Sequence, residues 1–124
     1  VSISAEITKD FRFEAAHFLP KVPESHQCHR MHGHSYKVTV RIIGPIDEEQ
    51  GWVMDLYELS KAFAPITQTL DHRLLNEIDG LENPTGENVA LWIFRRLEKS
   101  LPLLSSVTVE ATGRIATTIH KKLL

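Results

Sequence analysis

The stretch Cys28-His29-Arg30-Met31-His32-Gly33-His34-Ser35-Tyr36-Lys37-Val38-Thr39-Val40-Arg41-Ile42 decides the fold. From His32 onward, even positions carry His32, His34, Tyr36, Val38, Val40 and Ile42. Odd positions carry Ser35, Lys37, Thr39 and Arg41. Residues i and i+2 of a strand point to one face, so this alternation predicts a half-buried strand from about His32 to Ile43. Gly44-Pro45 stops it. His32 and His34 stand at the mouth of its apolar face. Two imidazoles spaced this way can hold one metal ion, although a His-x-His pair alone is more often incidental.

A second stretch, upstream, has the same grammar. Ile3, Ala5, Ile7, Phe11, Phe13, Ala15 and His17 fall on odd positions, and Ser4, Glu6, Thr8, Asp10, Arg12 and Glu14 on even ones. This predicts a strand from about Ile3 to His17 whose apolar face ends in a third histidine. Antiparallel pairing of the two strands lets their histidine ends meet. Three neutral imidazoles with no fourth protein ligand match a catalytic zinc site with an open position. Cys28 admits two assignments. It is either a fourth ligand, closing a structural site, or a free thiol acting as nucleophile or base.

The remaining chain predicts two helices and two strands. Phe18 to Gln27, with Pro20, Pro23 and Ser25, reads as a loop, and Trp52-Val53-Met54 as an extended apolar segment. Asp55 is placed as an N-cap, with Glu58 completing a capping box. Leu56, Leu59, Phe63, Ile66 and Leu70 then recur at helical spacing. Pro65, inside that pattern, is expected to kink or split the helix near Ala64. Asn76 to Gly86 reads as a loop. Thr85 caps a second helix whose one side carries Val89, Trp92, Ile93, Arg96 and Leu97. Val107, Val109 and Ala111 mark a third main strand, Gly113 a turn or bulge, and Ile115 to Ile119 a last short strand. The order is α+β: a four-stranded antiparallel sheet with two helices on one face and two open edges, which oligomerisation would cover.

Composition narrows the function classes. The 124 residues suit a single domain, residues 1–124, with one core. A net charge of -2 argues against a nucleic-acid or membrane-surface role. One cysteine excludes an intrachain disulfide and suits a reducing, cytoplasmic setting, and no apolar run reaches membrane-span length. The Lys121-Lys122 pair reads as a solvated end. Asp71-His72 offers a carboxylate to orient a histidine that shares a proton with Cys28, although neighbouring side chains ordinarily diverge. The competing reading is a helix end followed by a polar loop. His26 and His29 read as loop histidines, His120 has no role, and Trp52, Trp92 and the phenylalanines read as core.

Taken together, five segments resemble the 6-pyruvoyltetrahydropterin synthase / 6-carboxytetrahydropterin synthase family. They are Phe11 to His17, Cys28 to His34, Gly51 to Asp55, Leu70 to Asn76 and Leu81 to Thr85. The resemblance is strongest to the bacterial carboxytetrahydropterin synthases of queuosine biosynthesis. It implies a tunnelling (T-) fold in which three subunits close a barrel and two trimers stack as a hexamer. It implies Zn2+ on His17, His32 and His34, Cys28 as catalytic thiol, and Asp71 and His72 as its activators, with sites formed between subunits. It implies 7,8-dihydroneopterin triphosphate as substrate, and Thr85 and Glu87 as part of a pterin-binding segment. One position departs from the family. Ala111 stands where a glutamate usually anchors the pterin, and the acid here is Glu110. A one-residue shift sends a side chain to the opposite face unless a bulge re-aims it, and Gly113 keeps a bulge open. Loss of a charge-assisted contact costs about 1.5–3 kcal/mol.

Overall fold

A computed structural model describes residues 3–121. The Lys122 half of the basic pair lies outside the described residues. β1 (Ala5–His17) and β2 (His32–Gly44) form the long antiparallel centre of the sheet. Ile3 lies outside the strand and is exposed. Register follows the alternation. Phe13 faces Tyr36, Ala15 faces His34 and His17 faces His32. The inward sets of both strands therefore share one face, where Phe13, Tyr36, Val38, Val40 and Ile42 are buried.

α1 (Leu56–Leu70) and α2 (Gly86–Glu98) cover that face. Leu59, Phe63, Ile66 and Leu70 of α1 and Val89, Ala90, Trp92, Ile93, Phe94 and Leu97 of α2 join one apolar core. Phe63 stacks on Phe11 with ring centroids 4.0 Å apart. Arg96 is exposed but lies over the Trp92 ring, 3.4 Å from its centroid, so the predicted helix side is partly a cation–π contact.

Several expectations change. Pro65 does not split α1, which runs unbroken from Leu56 to Leu70. The proline deprives Lys61 of its helical donor, but both residues face water, which satisfies the freed carbonyl. Asp55 caps α1 through Tyr57 N at 2.9 Å, while the Glu58 side chain pairs with Lys61 at 3.5 Å, so the reciprocal box does not form. Trp52-Val53-Met54 forms bends rather than a strand, and Trp52 is 43% exposed, so it is not a core residue.

The sheet has five strands, not four. After α1, β3 (Arg73–Leu74) pairs parallel to β1 at Ala15–Ala16. A two-residue strand carries no readable periodicity. β4 (Leu104–Ala111) pairs with β2, and β5 (Ile115–His120) with β4, giving the order β3-β1-β2-β4-β5. Among the described residues the sheet is open: β5 forms one edge, and β1 from Ala5 to Phe13 has no neighbour on its outer side. Thr112 (φ 54) and Gly113 (φ 69) both adopt left-handed backbone in the β4–β5 turn, closed by Arg114 N donating to Ala111 O at 3.2 Å. Among the described residues no helix is long and apolar enough to cross a membrane.

Candidate metal centre and its cavities

The β1–β2 register converts two sequence motifs into one cluster. His17, His32 and His34 each offer a ring nitrogen, and these atoms lie within 4.8 Å of one another. The Nε2 atoms of His17 and His32 are 3.0 Å apart. Each ring is fixed from behind. His17 Nδ1 donates to Pro84 O at 2.8 Å and His32 Nδ1 to Arg30 O at 2.8 Å. His34 Nδ1 lies 2.6 Å from Thr112 Oγ1.

These partners set the tautomers. A carbonyl only accepts, so Nδ1 of His17 and of His32 carries the proton. In the neutral rings both Nε2 atoms then present lone pairs to each other across 3.0 Å. Two such lone pairs repel unless a cation lies between them. Burial holds the His17 and His34 imidazoles below the ordinary histidine range, with the neighbouring imidazoles adding to it, so both are neutral ligands at neutral pH. The donor set therefore fits a divalent metal bound by nitrogen, with outer hydrogen bonds orienting each ring. Cys28 is not among the converging donors.

Cys28 sits on a 3-10 turn, Gln27–His29, that His26 caps by accepting from Cys28 N at 3.0 Å. Leu19 N donates to Cys28 O at 2.8 Å and closes the loop onto the sheet end. Half-buried, Cys28 borders a cavity of about 580 Å³ together with all three histidines. Gln27, Tyr36, Ala111, Thr112, Arg114 and Thr117 are among its other lining residues.

Asp71 and His72 lie elsewhere. They do form a pair, His72 Nδ1 to Asp71 Oδ2 at 3.0 Å. The expected divergence of adjacent side chains fails because His72 has φ 59, which swings its ring back over Asp71. His72 N donates to Glu14 O, and Asp71 Oδ1 accepts from Glu14 N at 2.9 Å, so β1 pins the turn. His72 borders a second cavity of about 620 Å³, shared with Glu14, Ser35, Arg73 and Leu74. Gly33, His34 and Thr112 border both cavities. Within one chain, Cys28 and His72 thus open into different cavities.

The Glu14 backbone hydrogen bond, then His72, holds the Asp71 carboxyl below its ordinary range. A depressed carboxyl stabilises the fold above the unfolded-state value, about 3.9, and the contribution disappears as pH falls through the lower folded value. Asp71→Asn is expected to be less stable than the parent at pH 7, with the gap closing below about pH 4. Urea melts at pH 7, 4 and 2.5 check this, and a gap that does not narrow refutes it.

The remaining expected contacts separate as well. Thr85 Oγ1 is used to cap α2, accepting from Asn88 N at 3.1 Å. Glu87 is exposed on the first turn and borders neither cavity, whereas its neighbour Gly86 does border the first. Glu110 pairs opposite Lys37 in regular register, 3.7 Å from its Nζ, on the sheet face away from the histidines. The β2–β4 irregularity lies at Arg41/Ile42, far from Gly113, so nothing re-aims Glu110. Ala111 borders the first cavity. Pro84, Thr112 and Tyr36 also stand at the centre, without a sequence motif to mark them. A backbone carbonyl leaves no side-chain signal, Thr112 gains its position from a left-handed φ, and Tyr36 was absorbed into the strand pattern.

A profile of the family described as 6-pyruvoyl tetrahydropterin synthase matches residues 6–122. The 6-carboxy-5,6,7,8-tetrahydropterin synthase of Synechocystis sp. is 42% identical over 112 residues, 86% of this chain and 85% of that protein. The dihydroneopterin monophosphate aldolase of Pyrococcus furiosus is 40% identical over 100 residues, 81% of each chain. The Caenorhabditis elegans 6-pyruvoyl tetrahydropterin synthase structure superposes with a TM-score of 0.90 at 28% identity, covering 98% of both chains. The fold, the sequence match and the histidine centre agree: this chain belongs to the 6-pyruvoyl tetrahydropterin synthase family of lyase-type enzymes.

Proposed function

We propose that the chain is a zinc-dependent 6-carboxy-5,6,7,8-tetrahydropterin synthase. It converts 7,8-dihydroneopterin triphosphate and one water to 6-carboxy-5,6,7,8-tetrahydropterin, acetaldehyde and triphosphate. The observation that carries this reading is the convergence of His17, His32 and His34 beside Cys28 in one cavity. The 42% identical Synechocystis relative supports the carboxy product.

His17, His32 and His34 hold the metal. Zinc there supplies Lewis acidity toward the substrate's side-chain oxygens. Cys28 moves protons on and off the substrate carbons as general base and acid. Asp71 orients His72, which accepts and returns the Cys28 proton. Because Cys28 and His72 open into different cavities, the working site takes His72 from a neighbouring subunit. The open edges at β1 and β5 support a trimeric ring that closes a barrel, two rings making a hexamer in a soluble, cytoplasmic enzyme.

The Pyrococcus furiosus relative favours a second reading, aldol cleavage of a dihydroneopterin phosphate. Incubating zinc-loaded protein with 7,8-dihydroneopterin triphosphate separates the two. Carboxytetrahydropterin by mass spectrometry together with acetaldehyde is the expected result. A 6-hydroxymethyl pterin with a two-carbon aldehyde that still carries the triphosphate favours the aldolase, free triphosphate without acetaldehyde favours the pyruvoyl branch, and no turnover with zinc bound rejects this substrate.

A further inference from the structure

Two non-glycine residues among the described residues have left-handed backbone, His72 (φ 59) and Thr112 (φ 54). Thr112 is the costlier of the two, because a β-branched side chain is crowded there. It takes the first central position of the Ala111–Arg114 turn, and Gly113 (φ 69) takes the second. A two-residue hairpin turn with both central φ positive favours asparagine followed by glycine. Gly113 obeys that preference and Thr112 breaks it. Core packing does not account for the threonine, since it is exposed.

Backbone strain of this sort persists where surrounding contacts over-determine it, and it collects at functional sites. The hydrogen bonds at Thr112 lead to one strand. Thr112 N donates to Ser35 O at 2.8 Å, and Thr112 Oγ1 lies 2.6 Å from Nδ1 of the adjacent His34. That side-chain bond differs from its two counterparts at the centre. Pro84 O and Arg30 O can only accept, so they hold the proton on Nδ1 of His17 and of His32. A hydroxyl both donates and accepts. If it donates to His34 Nδ1, the neutral ring carries its proton on Nε2, and that nitrogen is closed to a metal. If it accepts, the proton stays on Nδ1 and the Nε2 lone pair is free. Only the second arrangement gives three converging lone pairs.

We propose that Thr112 is a positioning residue of the metal centre. Its hydroxyl accepts the Nδ1 proton of His34 and so fixes the ring, of the three, that no carbonyl holds. The left-handed backbone at Thr112 serves this bond. The proposal rests on the three-histidine metal reading and adds the group outside the ligand set that completes it. Both partners belong to one chain, so the bond needs nothing from a neighbouring subunit.

Three variants of the full chain separate this role from a purely structural one. Zinc affinity is measured by competition with a chromophoric chelator, and the melting temperature after zinc is removed. Thr112→Val keeps the branched shape and Thr112→Gly relieves the backbone, and both lose the hydroxyl. Each is expected to bind zinc about ten- to a hundredfold more weakly, the usual effect of losing the group behind a ligating histidine. Thr112→Ser keeps the hydroxyl and is expected to retain most of the affinity. Metal-free Thr112→Gly is expected to melt within a few degrees of the metal-free parent, because relief of a left-handed residue offsets the flexibility added to the unfolded chain. In the zinc-loaded parent, ring nitrogen chemical shifts are expected to show His34 protonated at Nδ1 and metal-bound at Nε2.

Undiminished zinc affinity in both Thr112→Val and Thr112→Gly overturns the proposal. So does an equal loss in Thr112→Ser, a set of losses that tracks collapse of the metal-free fold, or a zinc-loaded His34 with its proton on Nε2. In each of those cases, a parent that binds one zinc per chain leaves the metal reading standing. A parent that takes up no zinc removes the metal reading, and this inference with it.

Discussion

Replacing His32 by alanine is expected to abolish stoichiometric metal binding and, with it, turnover. His32 contributes one of three converging nitrogens, and its Nε2 is 3.0 Å from that of His17. Changing a group that merely orients a ligand typically costs ten- to a hundredfold in metal affinity, so loss of the ligand itself is expected to exceed about a hundredfold. Stability provides a second, independent readout. A metal that binds only the folded state adds about 2.7 kcal/mol at a free concentration a hundred times its Kd. The parent is therefore expected to melt several degrees lower after chelation, and His32→Ala to be indifferent to the chelator. The sign for the metal-free proteins is opposite. Without metal, the parent holds two imidazole lone pairs against each other, and the variant does not, so chelated His32→Ala is expected to be at least as stable as the chelated parent. A variant that retains one zinc per chain by elemental analysis would remove His32 from the centre.

Cys28→Ala is expected to lower turnover by about 10²- to 10⁴-fold, the range for a lost general acid–base group, while leaving the zinc content unchanged. The two readouts distinguish the assignments that the sequence left open. A fourth ligand and a catalytic thiol both predict lost activity, but only the ligand predicts lost metal. The geometry supports the thiol. Cys28 stands outside the converging donors, yet borders the same cavity, and its turn is anchored by His26 and Leu19. Alkylation gives a parallel test, since a free thiol reacts without expelling zinc. If Cys28→Ala turns over at the parent rate, the proton-transfer role is wrong, and the burden moves to groups that a neighbouring subunit brings to the cavity. His72 is the first of these, because it lies 79% exposed in the second cavity, oriented by Asp71 and available to another chain.

What the sequence by itself determined is what short-range periodicity can carry. Period-two alternation specified β1 and β2, their inward faces and the placement of His17, His32 and His34 at the ends of those faces. A thirteen-residue strand repeats its signal many times, and a one-residue slip would bury Lys37 and Arg41 instead of Val38 and Val40. Helical spacing specified α1 and α2, and Asp55 and Thr85 marked their starts, because a cap is a local bond between near neighbours. Only the tertiary structure decided the rest. β3 exists because β1 offers an edge to two residues too few to show a pattern. His72 faces Asp71 because a left-handed φ is held by Glu14, fifty-eight positions earlier in the chain. Pro65 is tolerated because its side of α1 faces water. Tyr36, one more apolar strand residue by its spacing, has a buried hydroxyl without a partner among the described residues, and Glu110 goes to the far face. Each of these outcomes depends on which distant group supplies or withholds a partner, and so does the placement of Cys28 and His72 in different cavities.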